Sequence, residues 1–276
     1  DSGNVNTNTT KYVAWNWKCN GGSKTTVSTT GTAAGSTLAG TYQANTTAGF
    51  SICTFTTGSD DDGDHRVNHG LGAVPHFVII KERDGTYGWY VWHQNFGATQ
   101  TGAMHDDSAA YTWGSRTGYG DLTSTYFEVD NNNITRDSQE YVAYAWTELQ
   151  GYSKFGSFLG NGTNDNSSTD GPSVYTGFKP AWLLIKCSSD ASLGWLLLDE
   201  KRCFDGSTEL GNDRNQRLFA DVPDAKTEGN STDFLSNGFK IRATGDFHNG
   251  DGNTYIYAAF ASNPFVTSGG VPSAAE

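Results

Sequence analysis

The feature that most constrains the fold is a sequence phrase that occurs three times. It reads "YVAWNWK" at 12–18, "YVAYAWT" at 141–147 and "YIYAAFA" at 255–261. Successive side chains of a strand point to opposite sides, so each copy would present apolar side chains on both faces. A strand of this kind is normally covered on both sides. The phrase therefore predicts a strand at the centre of a sheet inside a sandwich.

Four further blocks recur in the same order, and the spacing between the copies grows along the chain. They are "GFS" (49–51) with "GYS" (151–153), "VPHFVIIK" (74–81) with "KPAWLLIK" (179–186), "GWYVW" (88–92) with "GWLLL" (194–198), and "TYFEV" (125–129) with "NGFKI" (237–241). Ordered blocks with drifting spacing are what loop insertions between shared strands produce. The chain is therefore predicted to contain two copies of one unit.

Each block has the character of a strand. The runs are short, rich in β-branched and aromatic residues, and bounded by Gly, Asn, Asp and Ser. Pro75 and Pro180 each open an apolar run, a position that a strand tolerates. We expect an all-β protein of two tandem pseudo-repeats, each an antiparallel β-sandwich or jelly roll. The alternative is one merged sandwich in which the repeats share a core.

The predicted organisation has four parts. They are an orphan closing strand with a Gly/Thr/Ser-rich linker (1–43), repeat A (44–148), repeat B (149–263) and a flexible tail (264–276). The copy at 12–18 resembles the last strand of a repeat whose earlier strands are absent. We expect either that the chain is the C-terminal piece of a longer protein, or that this strand completes a neighbouring sheet or subunit. No signal peptide is expected.

Composition excludes several classes of function. A net charge of −12 argues against binding through a nucleic-acid backbone. The apolar runs are too short for membrane insertion. The four cysteines show no CxxC spacing, which predicts free and mostly buried thiols. A bridge between Cys187 and Cys203 is the alternative.

Several segments resemble a known family. They are "HGLGAVPHFVIIKERDG", "YVAYAWTELQGYSKFGSFLGNG", "YTGFKPAWLLIK" and "FLSNGFKIR…NTYIYAAFASNPF". Together they resemble virion structural proteins of marine tailed phages, including those of cyanobacteria, over about 12–265. The chain departs at "ASNPF", where members often carry an acidic residue before Asn. The resemblance implies a location on the virion, in the tail or capsid, and other virion proteins as partners. A homo-oligomer is expected, and a trimer would fit a tail fibre.

An acidic loop is the sharpest candidate for a metal site. In "GSDDDGDHR" (58–66), Asp60, Asp62 and Asp64 alternate around Gly63, as ligands do in calcium loops. The closing glutamate and flanking helices of an EF-hand are missing. A solvated hairpin turn is the alternative, so calcium is the one cofactor to test.

The loop "YTWGSRTGYG" (111–120) differs in chemistry from its counterpart in the second repeat. Function tends to be placed in such loops. Tyr111, Trp113, Arg116 and Tyr119 could stack sugar rings or contact a protein partner. Ordinary packing of these aromatic residues under a long loop is the alternative.

Signals for catalysis are weak. There is no GxSxG motif, and the six histidines are scattered. His65 and His69 lie in a predicted loop, which does not align them for a metal. Asp199 and Glu200 are followed by two basic residues, which favours ion pairs over glycosidase chemistry. We expect a non-enzymatic virion protein, either a tail-fibre adhesin or a surface-decoration module that contacts host surface glycans. A glycan-cleaving tail depolymerase and a secreted carbohydrate-binding module are the alternatives.

Overall fold

The computed structural model describes most of the chain. The described residues are 12–19, 21–58, 63–96, 100–110, 119–130, 134–162, 170–202, 216–222, 227–228, 232–243 and 245–261. They form antiparallel strands and one short helix, α1 (Asp246–Asn249). The predicted all-β class is confirmed. Within this part of the chain no helix has the length and apolar character needed to cross a membrane.

The strands fall into two sets along the chain. The first set is β1 (Thr25–Val27), β2 (Gly40–Asn45), β3 (Phe50–Thr56), β4 (Asp64–Asn68), β5 (Phe77–Glu82), β6 (Trp89–His93), β7 (Gly102–Ala103), β8 (Tyr119–Leu122), β9 (Tyr126–Asp130) and β10 (Glu140–Trp146). The second set is β11 (Ser153–Leu159), β12 (Ser173–Tyr175), β13 (Pro180–Cys187), β14 (Leu196–Asp199), β15 (Gln216–Phe219), β16 (Thr227–Glu228), β17 (Thr232–Leu235), β18 (Gly238–Ile241) and β19 (Thr254–Ala261).

Each set builds one large and one small sheet. In the first repeat, the A sheet has the order β1-β2-β3-β10-β5-β6-β7, and the small A sheet has the order β4-β9-β8. In the second repeat, the B sheet runs β11-β19-β13-β14-β15-β16, and the small B sheet runs β12-β18-β17. Five strands of the A sheet therefore recur in the same order in the B sheet.

The molecule is a stack of four layers with three cores between them. The first core, between the A sheet and the small A sheet, contains Phe55, Ile80 and Phe127. The second core, between the B sheet and the small B sheet, contains Leu183 and Phe239. The third core joins side chains from the two large sheets, among them Phe77, Trp146, Phe155, Leu184 and Phe260. Each repeat is thus a sandwich with its own core, and the two repeats also share one.

The closing strands are central, as their sequence predicts. β10 lies between β3 and β5, and β19 lies between β11 and β13. Tyr141 and Ala143 face the first core, while Trp146 faces the third. β19 divides its faces in the same way, with Tyr257 in the second core and Phe260 in the third. Both faces are apolar because each strand is covered by a core on each side.

The first copy of the phrase behaves differently, and the prediction of a central strand is wrong for it. Residues 12–19 belong to no sheet formed by the described residues. Trp15, Trp17 and Cys19 pack against the third core, whereas Tyr12 is 50% exposed. The centroids of the Trp17 and Trp146 rings lie 5.8 Å apart. Since β10 and β19 already have strands on both sides, this copy covers the end of the shared core instead.

The composition of residues 20–43 predicts a linker, and this prediction is also wrong. An arm, defined as residues 25–45, contributes β1 and β2 to the A sheet. Its middle pairs with the small A sheet, because Leu38 N–H donates to Arg66 O and Arg66 N–H donates to Ser36 O, both at 2.9 Å. Leu38 is 5% exposed in the first core. The arm therefore covers one side of the first sandwich.

A tyrosine anchors the start of each closing strand. The Tyr141 hydroxyl accepts the N–H of Arg136 at 2.8 Å, and the Tyr255 hydroxyl accepts the N–H of Gly250 at 2.8 Å. In each repeat the donor lies five residues before the tyrosine. Tyr255 also donates to Asp246 O at 2.5 Å. The hydroxyls fix the turns that lead into the central strands, much as a tyrosine corner does in other sandwiches.

Three cysteines are free thiols in this structure: Cys19, Cys53 and Cys187. Burial raises the pKa of Cys53 to about 12, so it stays protonated and behaves as a small apolar side chain. Cys203 lies outside the described residues. The free-thiol prediction is confirmed for the three cysteines that are described.

Candidate functional site

Most of the predicted loop sites fall outside the described residues. Tyr111, Trp113 and Arg116 lie there, while Tyr119 begins β8, where its backbone pairs with Val129. The side chain of Tyr119 is not described. The sugar-stacking role of this loop stays a prediction.

The acidic loop is described only at its end. Asp60 and Asp62 lie outside the described residues, whereas Asp64 is the first residue of β4. The backbone carbonyl of Asp64 accepts the N–H of Gly35 at 2.7 Å, and Asp64 lies opposite Asp130 in the ladder. Within the described ranges, no three His, Cys, Asp or Glu residues are grouped to hold a metal. Calcium binding by the loop stays a prediction.

His93 is a structural histidine inside the shared core. It is fully buried, its Nδ1 accepts the N–H of Asn95 at 3.1 Å, and its Nε2 lies 3.0 Å from the carbonyl of Tyr257. Since Nδ1 accepts, Nε2 carries the proton and donates across the repeats. Desolvation lowers the pKa of His93 to about 4, although the Tyr257 carbonyl opposes this shift. The ring is a neutral hydrogen-bonding bridge.

His69 has the same chemistry within the first repeat. Its Nδ1 accepts the N–H of Leu71, and its Nε2 donates to the carbonyl of Thr123, both at 3.2 Å. Burial lowers the pKa of His69 to about 4. His65, which the sequence also places in a loop, belongs instead to strand β4. Because both nitrogens of His69 are engaged, a metal could bind there only by breaking these bonds.

The adjacent carboxylates at the end of β14 form ion pairs, as expected. The Asp199 carboxylate pairs with the Arg202 guanidinium and accepts the backbone N–H groups of Lys201 and Arg202 at 2.8 and 3.1 Å. Glu200 pairs with Lys201 at 2.8 Å. The pair was expected at the surface, but Asp199 is 1% exposed, because its bonds cap the end of a buried strand. This geometry uses the Asp199 carboxylate for structure.

The site that the structure itself reveals lies on the A sheet. The ends of three strands and the turn after β5 surround an open groove of about 220 Å³. Its polar side chains define the threonine groove: Thr41, Thr54, Thr56, Arg83 and Glu140. The neighbouring residues Tyr42, Phe55 and Tyr141 point into the first core. Side chains alternate along a strand, so the groove residues point to the opposite face.

The groove continues the face that packs in the third core. Along β3, Phe50 is buried in that core, Ile52 is partly covered, and Thr54 lies in the groove. Along β10, Trp146, Tyr144 and Glu140 follow the same gradient. The A sheet is therefore covered by the second repeat at one end and open at the other.

The groove offers a defined set of hydrogen-bonding groups. The hydroxyls of Thr41 and Thr54 lie 2.8 Å apart, and the Arg83 guanidinium lies 2.8 Å from the Glu140 carboxylate. The side chains of that ion pair are 49% and 53% exposed, so both remain open to a ligand. Exposed pairs of this kind add little stability. The groups are therefore available for recognition.

An aromatic residue lies on the same face. The ladder places Thr54 opposite Val142, Val142 opposite Lys81, and Lys81 opposite Trp89. Trp89 is 38% exposed. Strands lie about 4.8 Å apart, so the Trp89 backbone is roughly 14 Å from that of Thr54 across the sheet. A polar groove with an exposed indole on the same face can take hydroxyl-rich ligands whose rings stack.

Sequence reasoning missed this groove. Its residues come from β2, β3, β10 and the turn after β5, and no local motif joins Thr41 to Glu140. The one available signal was in the strands themselves. Phe50, Ile52, Thr54 and Thr56 lie on the same face of β3. This face is apolar at its first two positions and carries threonine at its last two.

Comparison with known proteins gives a family without an assigned role. A model described as "Domain of unknown function (DUF7483)" matches residues 1–264. No curated protein and no solved structure matches the chain. Since the match spans nearly the whole sequence, the chain belongs to the DUF7483 family.

Proposed function

We propose that the chain is a non-enzymatic structural module of a phage particle, exposed on the tail or capsid, that contacts host surface glycans through the threonine groove. The groove carries the glycan part of this proposal. It combines two hydroxyls, an exposed ion pair and, on the same face, the indole of Trp89. Sugars are bound by such combinations of polar groups and aromatic faces.

The sequence resemblance supports the viral setting, and the shared core supports a structural role. The third core buries Phe77, Trp146 and Phe260 between the repeats. Polar contacts cross the same junction, since Trp195 Nε1 donates to Ala103 O at 2.7 Å and Lys186 Nζ to Asp107 O at 3.1 Å. A module joined in this way holds its groove in a fixed orientation. Other virion proteins and further copies of the chain are the partners of this proposal.

The test of glycan contact is binding to an array of bacterial surface polysaccharides, followed by titration of the best ligand against groove variants. Thr54→Val keeps the side-chain shape and removes one hydroxyl, so it should weaken binding roughly two- to ten-fold. Trp89→Ala removes the stacking surface and should weaken binding at least as much. Tyr175→Ala removes an aromatic side chain that is 72% exposed on the other repeat, and should change nothing.

Two results would count against the proposal. One is an array in which no polysaccharide binds. The other is a ligand whose affinity is the same for wild type, Thr54→Val and Trp89→Ala. The setting has its own test, because purified particles of the encoding virus should contain the chain by mass spectrometry. A chain found free in the lysate and absent from particles would refute the virion assignment alone.

A further inference from the structure

The two repeats differ along one side of their sandwiches. In the first repeat the arm covers the outer edge of both sheets, since β2 pairs with β3 and residues 36–38 pair with β4. In the second repeat, β11 and β12 are the outermost strands of their sheets, and the described residues supply no strand beyond them. Only residues 147–152 join β10 to β11, which leaves no length for a second arm.

The ladders identify matching positions on the large sheets. Thr54 lies opposite Val142 in β10, and Ser157 lies opposite Ile256, the same position of β19. Bonds to β19 come from the even positions of this segment: Tyr152 O accepts Ala261 N–H at 2.8 Å, and Gly160 N–H donates to Asn253 O at 2.9 Å. The N–H and C=O groups of Ser157 and Leu159 therefore point away from the sheet.

The small sheets show the same difference. Arg66 lies opposite Glu128, and Ser173 lies opposite Lys240, the matching position of the second repeat. The backbone of Arg66 bonds to the arm at Ser36 and Leu38. On β12, the flanking positions 172 and 176 bond to β18 and its turn. The backbone groups of Ser173 consequently point outward, whereas the corresponding groups of Arg66 bond to the arm.

Apolar side chains are left uncovered along this side. Phe55 stacks on Tyr141 at 5.3 Å and is 3% exposed beneath the arm. Phe158 stacks on Tyr255 at 5.2 Å in the same way, but it remains partly exposed. A strand added beside β11 would therefore bury Phe158, as the arm buries Phe55.

One further side chain on each of the open strands is more exposed still. Leu159 is 63% exposed and Tyr175 is 72% exposed. Unpaired strand edges with exposed apolar residues are surfaces on which another strand can add. The first half of β11 is closed to such pairing, because Glu148 accepts from Phe155 N–H and Gln94 donates to Phe155 O. The open stretch is therefore short, and so is the strand that fits it.

We propose that the open side of the second repeat docks an extended segment from another polypeptide chain, with the chemistry of arm residues 36–42. The segment would be rich in small polar residues. It would also carry a leucine that covers Phe158, in the position that Leu38 has beside Phe55 in the first core. It needs glycine two residues later. At Gly40 an added Cβ would lie 2.0 Å from Thr54 O, so only glycine permits this approach. The proposal does not depend on the proposed function.

The experiment is a titration of the full chain against a fluorescent synthetic peptide of residues 34–45, "AGSTLAGTYQAN", followed by anisotropy. Saturable binding is expected. The double variant Ser157→Pro/Ser173→Pro removes two N–H groups that point away from the described strands, and should bind about ten-fold more weakly or worse. The matched Ser157→Ala/Ser173→Ala variant keeps both N–H groups and should bind like wild type. A peptide carrying Leu38→Asp should not bind.

Amide hydrogen exchange reports on the same surface without any variant. The amides of Ser157 and Ser173 should exchange quickly in the free chain and become protected by the peptide. The proposal is overturned if the peptide shows no saturable binding. Equal binding to the proline variant would overturn it as well, since the peptide would then be exchanging with the arm of the first repeat. A third outcome is that the chain alone forms a dimer that the proline variant dissociates. That result would show that the edge binds a second copy of the chain, and it would refute the assignment of the occupant.

Discussion

Acidification from pH 7 to pH 5 should destabilise the protein steeply, because two buried histidines must stay neutral in the fold. Burial lowers the pKa values of His69 and His93 from 6.5 to about 4. When the pH falls below 4, the drop corresponds to roughly 3 kcal/mol for each ring, and a little over half of this loss is reached by pH 5. Burial lowers the pKa of His76 in the same direction. A loss of this size compares with a total stability of about 5–15 kcal/mol for typical domains.

The sign follows from proton uptake. The pKa of each ring is lower in the folded chain than in the unfolded chain, so the unfolded chain binds more protons between pH 6.5 and about 4. The stability from the neutral rings is fully present above pH 6.5 and is lost as the pH falls towards 4. With two protons involved, the free energy of unfolding should fall by up to about 2.7 kcal/mol per pH unit within this window.

Urea denaturation at a series of pH values measures this slope. His93→Gln removes one titrating ring while keeping an amide that can donate to Tyr257 O, so it should remove about one proton from the slope. Ile79→Val, also at the shared core, should cost about 1 kcal/mol at every pH and leave the slope unchanged. A free energy of unfolding that stays flat from pH 7 to pH 5, or an unchanged slope in His93→Gln, would refute the reasoning.

Other substitutions test separate parts of the structure by urea denaturation. Trp17→Ala removes a half-buried ring from the end of the shared core and should cost about 2 kcal/mol; no loss would mean that residues 12–19 do not stabilise the fold. Tyr141→Phe and Tyr255→Phe each leave a backbone N–H without its acceptor and should each cost about 1.5 kcal/mol, additively in the double variant. Gly40→Ala should cost about 2 kcal/mol, because the new Cβ meets Thr54 O; a neutral result would contradict the close packing of the arm.

The positions of the closing strands could be predicted because their sequence carries the cause. Tyr141 and Ala143 make one face of the strand apolar, and Trp146 does the same for the other face. A strand with two apolar faces is stable only where both faces are covered. The pattern predicts that something packs on each face of the strand, but it does not identify which part of the protein does so. One face of β10 meets its own small sheet, and the other meets the second repeat. For this reason the sequence alone does not decide between two separate sandwiches and two repeats that share a core.

Two errors have a common physical origin. The Gly, Ser and Thr residues that dominate 20–43 predict a linker, yet strand pairing uses backbone N–H and C=O groups that these residues also carry. The side chains of the copy at 12–18 match those of the other two copies and therefore predict a central strand. A strand also needs two neighbours with free edges, and β10 and β19 already have theirs. Local sequence gives a strand its faces, but the rest of the fold gives it its partners.

Register is a third property that similarity alone did not determine. The blocks "GFS" and "GYS" align in sequence, so Phe50 should correspond to Tyr152. In the ladders, Phe50 lies opposite Trp146, whereas Ser153 lies opposite Phe260 at the same position of the closing strand. The second copy is thus displaced by one residue, which places Phe155 in the shared core. A displacement of one residue exchanges the faces of a strand, so a short match cannot fix it.

The central claim is that the two repeats are joined by a third core into one cooperative unit, and differential scanning calorimetry tests it most directly. The account predicts a single transition at pH 7 whose calorimetric enthalpy equals its van't Hoff enthalpy. Two resolved transitions, each carrying the enthalpy of one sandwich, would show that the shared core does not couple the repeats and would contradict the account.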